Sequence, residues 1–187
     1  MRKKLPWRSR TRTRNLRAAV QPVLNCSRAR GVEYALLLHK VYFFFEKAKY
    51  ACAGRVECGG ILLGSYRGPH IEVVDFTQPG PDDEATLSSF KRKDSQHQDA
   101  ATKAWHLSNR KQTYVGEWHS HPFGQPVPSS LDKRVWRSVV AKQNAPCLFV
   151  VVSPAGWEVF RMQRLAKATR LVALTESEGG SSGIVFR

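Results

Sequence analysis

The sequence predicts an α/β domain in which strands and a few helices alternate in a three-layer or sandwiched arrangement. Three observations carry that prediction. Short apolar runs at residues 61–66 and 148–152 have the length and composition of strands. Between such runs lie segments of helical spacing, clearest at residues 39–52, where Val41, Phe44, Phe45 and Ala48 share one face. The chain has 187 residues, of which 42% are hydrophobic, enough for one well-buried domain with little left for a second.

The elements follow in order. Residues 1–30 hold ten Lys or Arg and no acid, so they supply ten of the fifteen net positive charges. Arg8, Arg10, Arg12 and Arg14 alternate with Ser and Thr and give no core-forming period, so this extension is expected to be disordered alone and attractive to polyanions. A nucleic-acid tether, an upstream start site and an Arg-rich presequence all fit it; a solvated arm is favoured, because no recognised nucleic-acid fold accompanies it. Residues 32–38 read as a strand packed on both faces, and 39–52 as the amphipathic helix. Strands at 61–66 and 70–76 are joined by a turn at Arg67-Gly68-Pro69. Residues 78–90 read as a polar loop, and Asp94 as the cap of a helix running to about Ser108. A strand at 114–121 and a helix at 131–142 follow, then a buried strand at 148–152 and an exposed one at 157–162. From Thr175 the chain, with Gly179-Gly180-Ser181-Ser182-Gly183, is expected to be a flexible tail. The resulting division is 1–30, 31–174 and 175–187.

Chemistry concentrates in Glu117-Trp118-His119-Ser120-His121-Pro122 and the nearby Ser129-Ser130-Leu131-Asp132. Side chains alternate along a strand, so His119 and His121 point to one side, with Glu117 on the same face. Two neutral imidazoles and one carboxylate suit Zn²⁺ and leave a tetrahedral position open, as in a catalytic site. Pro122 ends strand pairing, Gly124, Pro126 and Pro128 make a loop, and Ser129 reads as a helix N-cap with Asp132 in the first turn. His-x-His alone is a weak signal and Ser-x-x-Asp alone is usually a capping pair; their order and spacing together give the signal its weight.

These residues resemble the JAMM (MPN-plus) metalloprotease motif: His119-x-His121-Pro122, then Ser129-x-x-Asp132, with Glu57 upstream before the glycine-rich apolar run Gly59-Gly60-Ile61-Leu62-Leu63-Gly64. The resemblance covers roughly residues 31–174. Gly80-Pro81-Asp82-Asp83, Phe90, His97-Gln98 and the Gly116-Glu117-Trp118-His119 lead-in resemble the bacterial branch associated with antiphage CBASS operons. The fold it implies is a mixed sheet flanked by helices, the cytidine-deaminase-like MPN/JAB1 domain. It further implies one Zn²⁺ per chain held by His119, His121 and Asp132, Glu57 as the general base, and Ser129 as a donor toward the developing oxyanion. Glu117 is a rival base whose place better suits orienting an imidazole from outside the ligand set.

The implied reaction is hydrolysis of an isopeptide bond after the C-terminal glycine of a ubiquitin-like protein or a CD-NTase. An exposed edge strand is a natural place to hold such an extended tail, and Lys91, Arg92 and Lys93 are available to an acidic partner. A zinc peptidase that trims a ubiquitin-like or sulfur-carrier precursor is the alternative. A nucleic-acid-associated binding protein with a structural zinc is weaker, because structural sites fill their fourth position with protein. The four cysteines, Cys26, Cys52, Cys58 and Cys147, form no Cys-x-x-Cys pair, which excludes a zinc finger or disulfide scaffold and points to a reducing cytoplasm. No apolar run approaches the roughly 18 residues of a membrane span.

Overall fold

The computed structural model describes residues 33–174 and 183–187. The basic extension, residues 1–30, lies outside the described residues. Strand β1 (Ala35–Leu38) runs directly into helix α1 (His39–Ala51), which precedes the antiparallel pair β2 (Gly59–Arg67) and β3 (His70–Phe76). Two short strands, β4 (Glu84–Ala85) and β5 (Phe90–Lys91), form a separate hairpin inside the segment expected to be a polar loop. Helix α2 (Gln96–Leu107), strand β6 (Thr113–Ser120), helix α3 (Ser130–Gln143) and strands β7 (Cys147–Ser153) and β8 (Gly156–Met162) follow, then β9 (Thr169–Leu171) and β10 (Gly183–Phe186).

Eight strands form one mixed sheet in the order β10-β1-β3-β2-β6-β7-β8-β9. The β1–β3 and β6–β7 pairs are parallel; the others are antiparallel. Helices cover both faces, as a sheet with two apolar faces requires. On one side α1 buries Val41 and Phe45 against Val73, Trp118, Leu148 and Val150. On the other, α3 buries Trp136 and Val140 against Phe149, Val151 and Phe160, with the Trp136 and Phe149 rings stacked at 4.4 Å. β7 alternates between these two clusters, which is why every residue of it is buried.

Three expectations need correcting. Asp94 lies two residues before the first helical position of α2, and Ser95 is the N-cap; the Asp94 carboxylate still accepts the Gln96 N–H at 2.8 Å. β8 is not exposed: Val159, Phe160, Arg161 and Met162 are buried, because β9 continues the sheet beyond it and α3 covers it. The tail is not wholly flexible, since Gly183–Phe186 forms a strand antiparallel to β1. Gly183 is forced by close approach, as a Cβ there would lie 2.2 Å from the Leu37 carbonyl oxygen.

That last strand also meets the segment after β9. Val172 N–H donates to Arg187 O at 2.8 Å, Arg187 N–H to Val172 O at 2.9 Å and Leu174 N–H to Val185 O at 2.8 Å. Residues 172–174, which follow β9, thus pair with the C-terminal strand and cover part of its outer edge.

Candidate metal centre

β6 and α3 deliver the three candidate ligands. β6 ends after Ser120, and His121 N–H donates to Val152 O at 2.7 Å, so both histidines ride on a paired backbone. Ser129 caps α3 in a capping box: Asp132 N–H donates to Ser129 Oγ at 3.1 Å, and Ser129 N–H donates to Asp132 Oδ2 at 2.6 Å. The cap thereby fixes the Asp132 carboxylate as well as the helix start.

The three side chains converge. His119 Nε2 and His121 Nε2 are 3.0 Å apart, with Asp132 Oδ1 3.4 Å from the first and Oδ2 3.5 Å from the second. Three donors each about 2.0–2.1 Å from one tetrahedral ion lie about 3.3 Å from one another, so these spacings fit a metal ion. Two facing imidazole nitrogens need a shared proton or a cation between them, which argues the same way. Burial on its own would raise the Asp132 carboxyl pKa; hydrogen bonds from His119 and His121 override it and hold the group well below the usual range. The Asp132 hydrogen bond raises His121. Among the described residues this is the one group of three or more His, Cys, Asp or Glu side chains able to share an ion.

Glu57 meets the cluster from the segment that leads into β2. β2 pairs with β6 so that Gly59 lies opposite His119. Ser120 N–H donates to Cys58 O at 2.7 Å, which carries the register outward and sets Glu57 across from His121 on the same face. Its side chain is buried; burial raises its carboxyl, the nearby histidines lower it and Asp132 raises it again.

Glu117 is placed differently from the expectation. A register shift opposite Leu62 and Leu63 makes Val115 an extra residue in β6, so Tyr114 and Glu117 come to one face despite their three-residue spacing. Glu117 Oε1 accepts from Tyr114 Oη at 2.9 Å and from Arg92, and it hydrogen-bonds to neither imidazole. Arg92, Tyr114 and Glu117 are all only partly exposed, so the pairing gives their polar ends partners within the chain. Lys91 and Lys93 both pair with the single exposed carboxylate of Glu84 and remain largely exposed themselves.

Several supporting residues were given no role by the sequence. Cys58 N–H donates to Ser120 Oγ at 2.9 Å, so the serine between the two histidines ties the Glu57 segment to the metal strand from the opposite face. Thr86 O accepts the Glu57 N–H at 2.7 Å, which makes the β4–β5 hairpin a backbone support for that glutamate. The hairpin is in turn fixed by a buried polar hub. Asp83 accepts N–H donors from Gly80, Lys93 and Asp94 at 2.8, 2.7 and 2.9 Å, and lies 2.9 Å from His97 Nε2. His97 Nδ1 is 2.6 Å from Thr77 Oγ1, which already accepts the Ile61 N–H. A neutral ring that meets both partners therefore carries its proton on Nε2, facing Asp83. Burial would raise the Asp83 carboxyl, but the donors from Asp94, Gly80, His97 and Lys93 hold it down at about 2.

A pKa depressed in the folded state contributes stability that is present above the unfolded value and lost as pH falls through the folded one. Asp83 should thus add roughly 2 kcal/mol at neutral pH, declining below about pH 4 and gone below about pH 2. Urea unfolding of wild type and Asp83→Asn should differ by that order at pH 7 and converge in acid. An undiminished gap at pH 2 would disprove the assignment.

The fold and the cluster define a class: α/β domains in which a strand end and a capped helix start bring together side chains able to hold a metal ion. The chain belongs to the JAB family, since residues 47–165 match the family described as prokaryotic homologues of the JAB domain. A Vibrio cholerae protein called CD-NTase/cGAS isopeptidase is 33% identical over 101 residues, covering 54% of this chain and 65% of that protein. A Sinorhizobium fredii protein called a probable metalloprotease is 28% identical over 92 residues, 48% of this chain and 56% of the relative. The chain thus spans under two thirds of the length of either. The solution structure of a Desulfitobacterium hafniense protein superposes with a TM-score of 0.51 at 20% identity, covering 73% of this chain and 88% of that one, which concerns the fold alone.

Proposed function

We propose that the protein is a zinc-dependent isopeptidase that hydrolyses the bond after the C-terminal glycine of a ubiquitin-like or CD-NTase-type conjugate, in bacterial antiphage defence. The observation that carries this reading is the convergence of His119, His121 and Asp132 opposite the buried Glu57. The name of the Vibrio relative supports the substrate class, and that of the Sinorhizobium relative supports metal-dependent proteolysis.

Two imidazoles and a carboxylate are ligands that Zn²⁺ accepts, and three protein ligands leave a position for substrate chemistry. Bound there, the ion supplies Lewis acidity and lowers the pKa of water from about 15.7 to about 7. The chain's own residues do the rest. Glu57 takes a proton from the attacking water and returns it to the leaving amine. Ser129 Oγ accepts the Asp132 N–H, so its own proton is free to donate to the oxygen that gains charge as the carbonyl is attacked. Ser129→Ala should cost about 1 kcal/mol of stability through the lost cap and lower kcat by roughly 10²–10³-fold through the lost donor. Ser129→Thr should restore both in large part; equal kcat for Ser129→Ala and wild type would limit Ser129 to capping.

The test is zinc content per chain alongside cleavage of a lysine-linked conjugate and of a linear fusion ending in the same glycine. One zinc with preference for the conjugate supports the isopeptidase. Preference for the linear fusion favours a precursor-trimming peptidase, and folded protein without zinc refutes the reading. A cytoplasmic setting fits the buried free thiols of Cys52 and Cys147. Among the described residues no helix is long and apolar enough to cross a membrane. Nucleic-acid binding through residues 1–30 is a separate property, measurable as salt-sensitive DNA affinity.

A further inference from the structure

Phe90, on β5, and Arg92, just past its end, lie two residues apart on one extended segment and so project the same way. Arg92 reaches Glu117, which shares a face of β6 with His119. Phe90 takes the matching position nearer the metal cluster. A Cβ on Gly59 would fall 2.8 Å from both Cδ1 and Cε1 of the Phe90 ring, and Gly59 is the register partner of His119. Cβ positions of paired residues lie about 4.5–5.5 Å apart, so the ring stands beside the root of the His119 side chain. Glu57 precedes Gly59 by two residues, which puts its buried carboxyl on the same side.

On the far side of Arg92 is a cavity of about 690 Å³ between α2 and α3. Ile61, Tyr114 and Glu117 line its floor, and Trp105 and Val139 stand on its helical walls. Ile61 pairs with Glu117 and Gly59 pairs with His119, so the next pair along this face beyond the cavity is the one that carries Phe90 and the cluster. That step is two residues of strand, about 6.7 Å. The cavity has the size of an ordinary ligand site, and a polypeptide laid along it reaches the cluster past the ring.

We propose that Phe90 sets specificity at this centre: its ring narrows the passage from the cavity to the cluster, so that the residue whose carbonyl is attacked must be glycine. This rests on the reading of the centre as a peptidase. The attacked carbon has to sit between Glu57 and the three converging donors, and its α-carbon is one bond back toward the cavity. A side chain there meets the ring that already fills the space over Gly59. The ring is held from both ends of its segment. The Arg92–Glu117 pair anchors the chain after it, and Thr86 O, which accepts the Glu57 N–H, anchors the chain before it. An extra methyl group therefore has to be accommodated by strain rather than by an easy shift of the wall.

The experiment uses full-length, zinc-loaded protein and two fluorescent octapeptides of Ser and Leu, one ending in Gly-Gly and one in Gly-Ala. Each is joined through its last carboxyl group to a lysine Nε for cleavage, and each is used free for binding by anisotropy. Wild type should favour the glycine conjugate by roughly 10–200-fold in kcat/KM, the range that one methyl group decides in a shaped site. Phe90→Ala should cut that ratio by at least about tenfold, in part through faster cleavage of the alanine conjugate, a gain that misfolding does not produce. Phe90→Leu, which keeps most of the bulk, should retain most of the preference, with zinc content as in wild type. A cleaving wild type without glycine preference, or an unchanged ratio in Phe90→Ala, overturns the role of Phe90 and leaves the peptidase reading standing. A wild type that cleaves neither conjugate, yet binds the glycine octapeptide preferentially and loses that preference in Phe90→Ala, counts against the peptidase reading alone. Neither cleavage nor a binding preference overturns both.

Discussion

Replacing Glu57 with glutamine should leave the metal bound and remove hydrolysis. Glu57 lies across from His121 and outside the three converging donors, so the metal loses no ligand. What disappears is the acceptor for the water's proton, a role whose loss costs roughly 10²–10⁴-fold in rate. Glutamine keeps the volume and the buried hydrogen-bonding capacity, and the segment remains tied down through the Glu57 backbone bond to Thr86 and the Cys58 bond to Ser120. Zinc near one per chain with kcat reduced by that factor is the expected pair of measurements. Full activity would hand the base role to another group, and loss of zinc would make Glu57 a ligand.

Asp132→Ala should have the larger effect, because Asp132 has two jobs. Its carboxylate faces both imidazoles, and it also closes the capping box with Ser129. Its removal should abolish metal binding and activity and should cost about 0.5–2 kcal/mol of stability through the cap. Asp132→Asn separates the two jobs. The amide oxygen can still accept the Ser129 N–H, so stability should largely return, whereas the lost negative charge leaves metal affinity reduced by at least 10–100-fold, the range seen for mere supporting partners. Equal zinc content in wild type and Asp132→Ala would overturn the ligand assignment.

Supporting chemistry was the least legible part of the site. Glu117 reads in sequence as sharing a face with the histidines, as an unbroken strand requires. The structure adds a bulge at Val115 that brings Tyr114 to that face, where Tyr114 and Arg92 claim the carboxylate. Thr86 and Asp83 lie in a stretch with no period, and their roles depend on which backbone donors surround them, a matter of distant contacts. The Ser120 role was accessible in part, since alternation alone puts it on the face opposite His119 and His121.

The sequence by itself determined the alternation of strands and helices, the candidate ligands, and the cap of α3. These are local facts: side-chain alternation in a strand, the 3.6-residue helical period, and an N-cap serine with a carboxylate three positions on all act within one or two turns of chain. Only the tertiary structure decided that Gly183–Phe186 returns to pair with β1, beside residues 172–174. It alone also buried β8 and set Glu57 across from His121. Each of these depends on pairing between segments far apart in sequence, where the gain comes from shared burial and ladder hydrogen bonds that neither segment encodes alone.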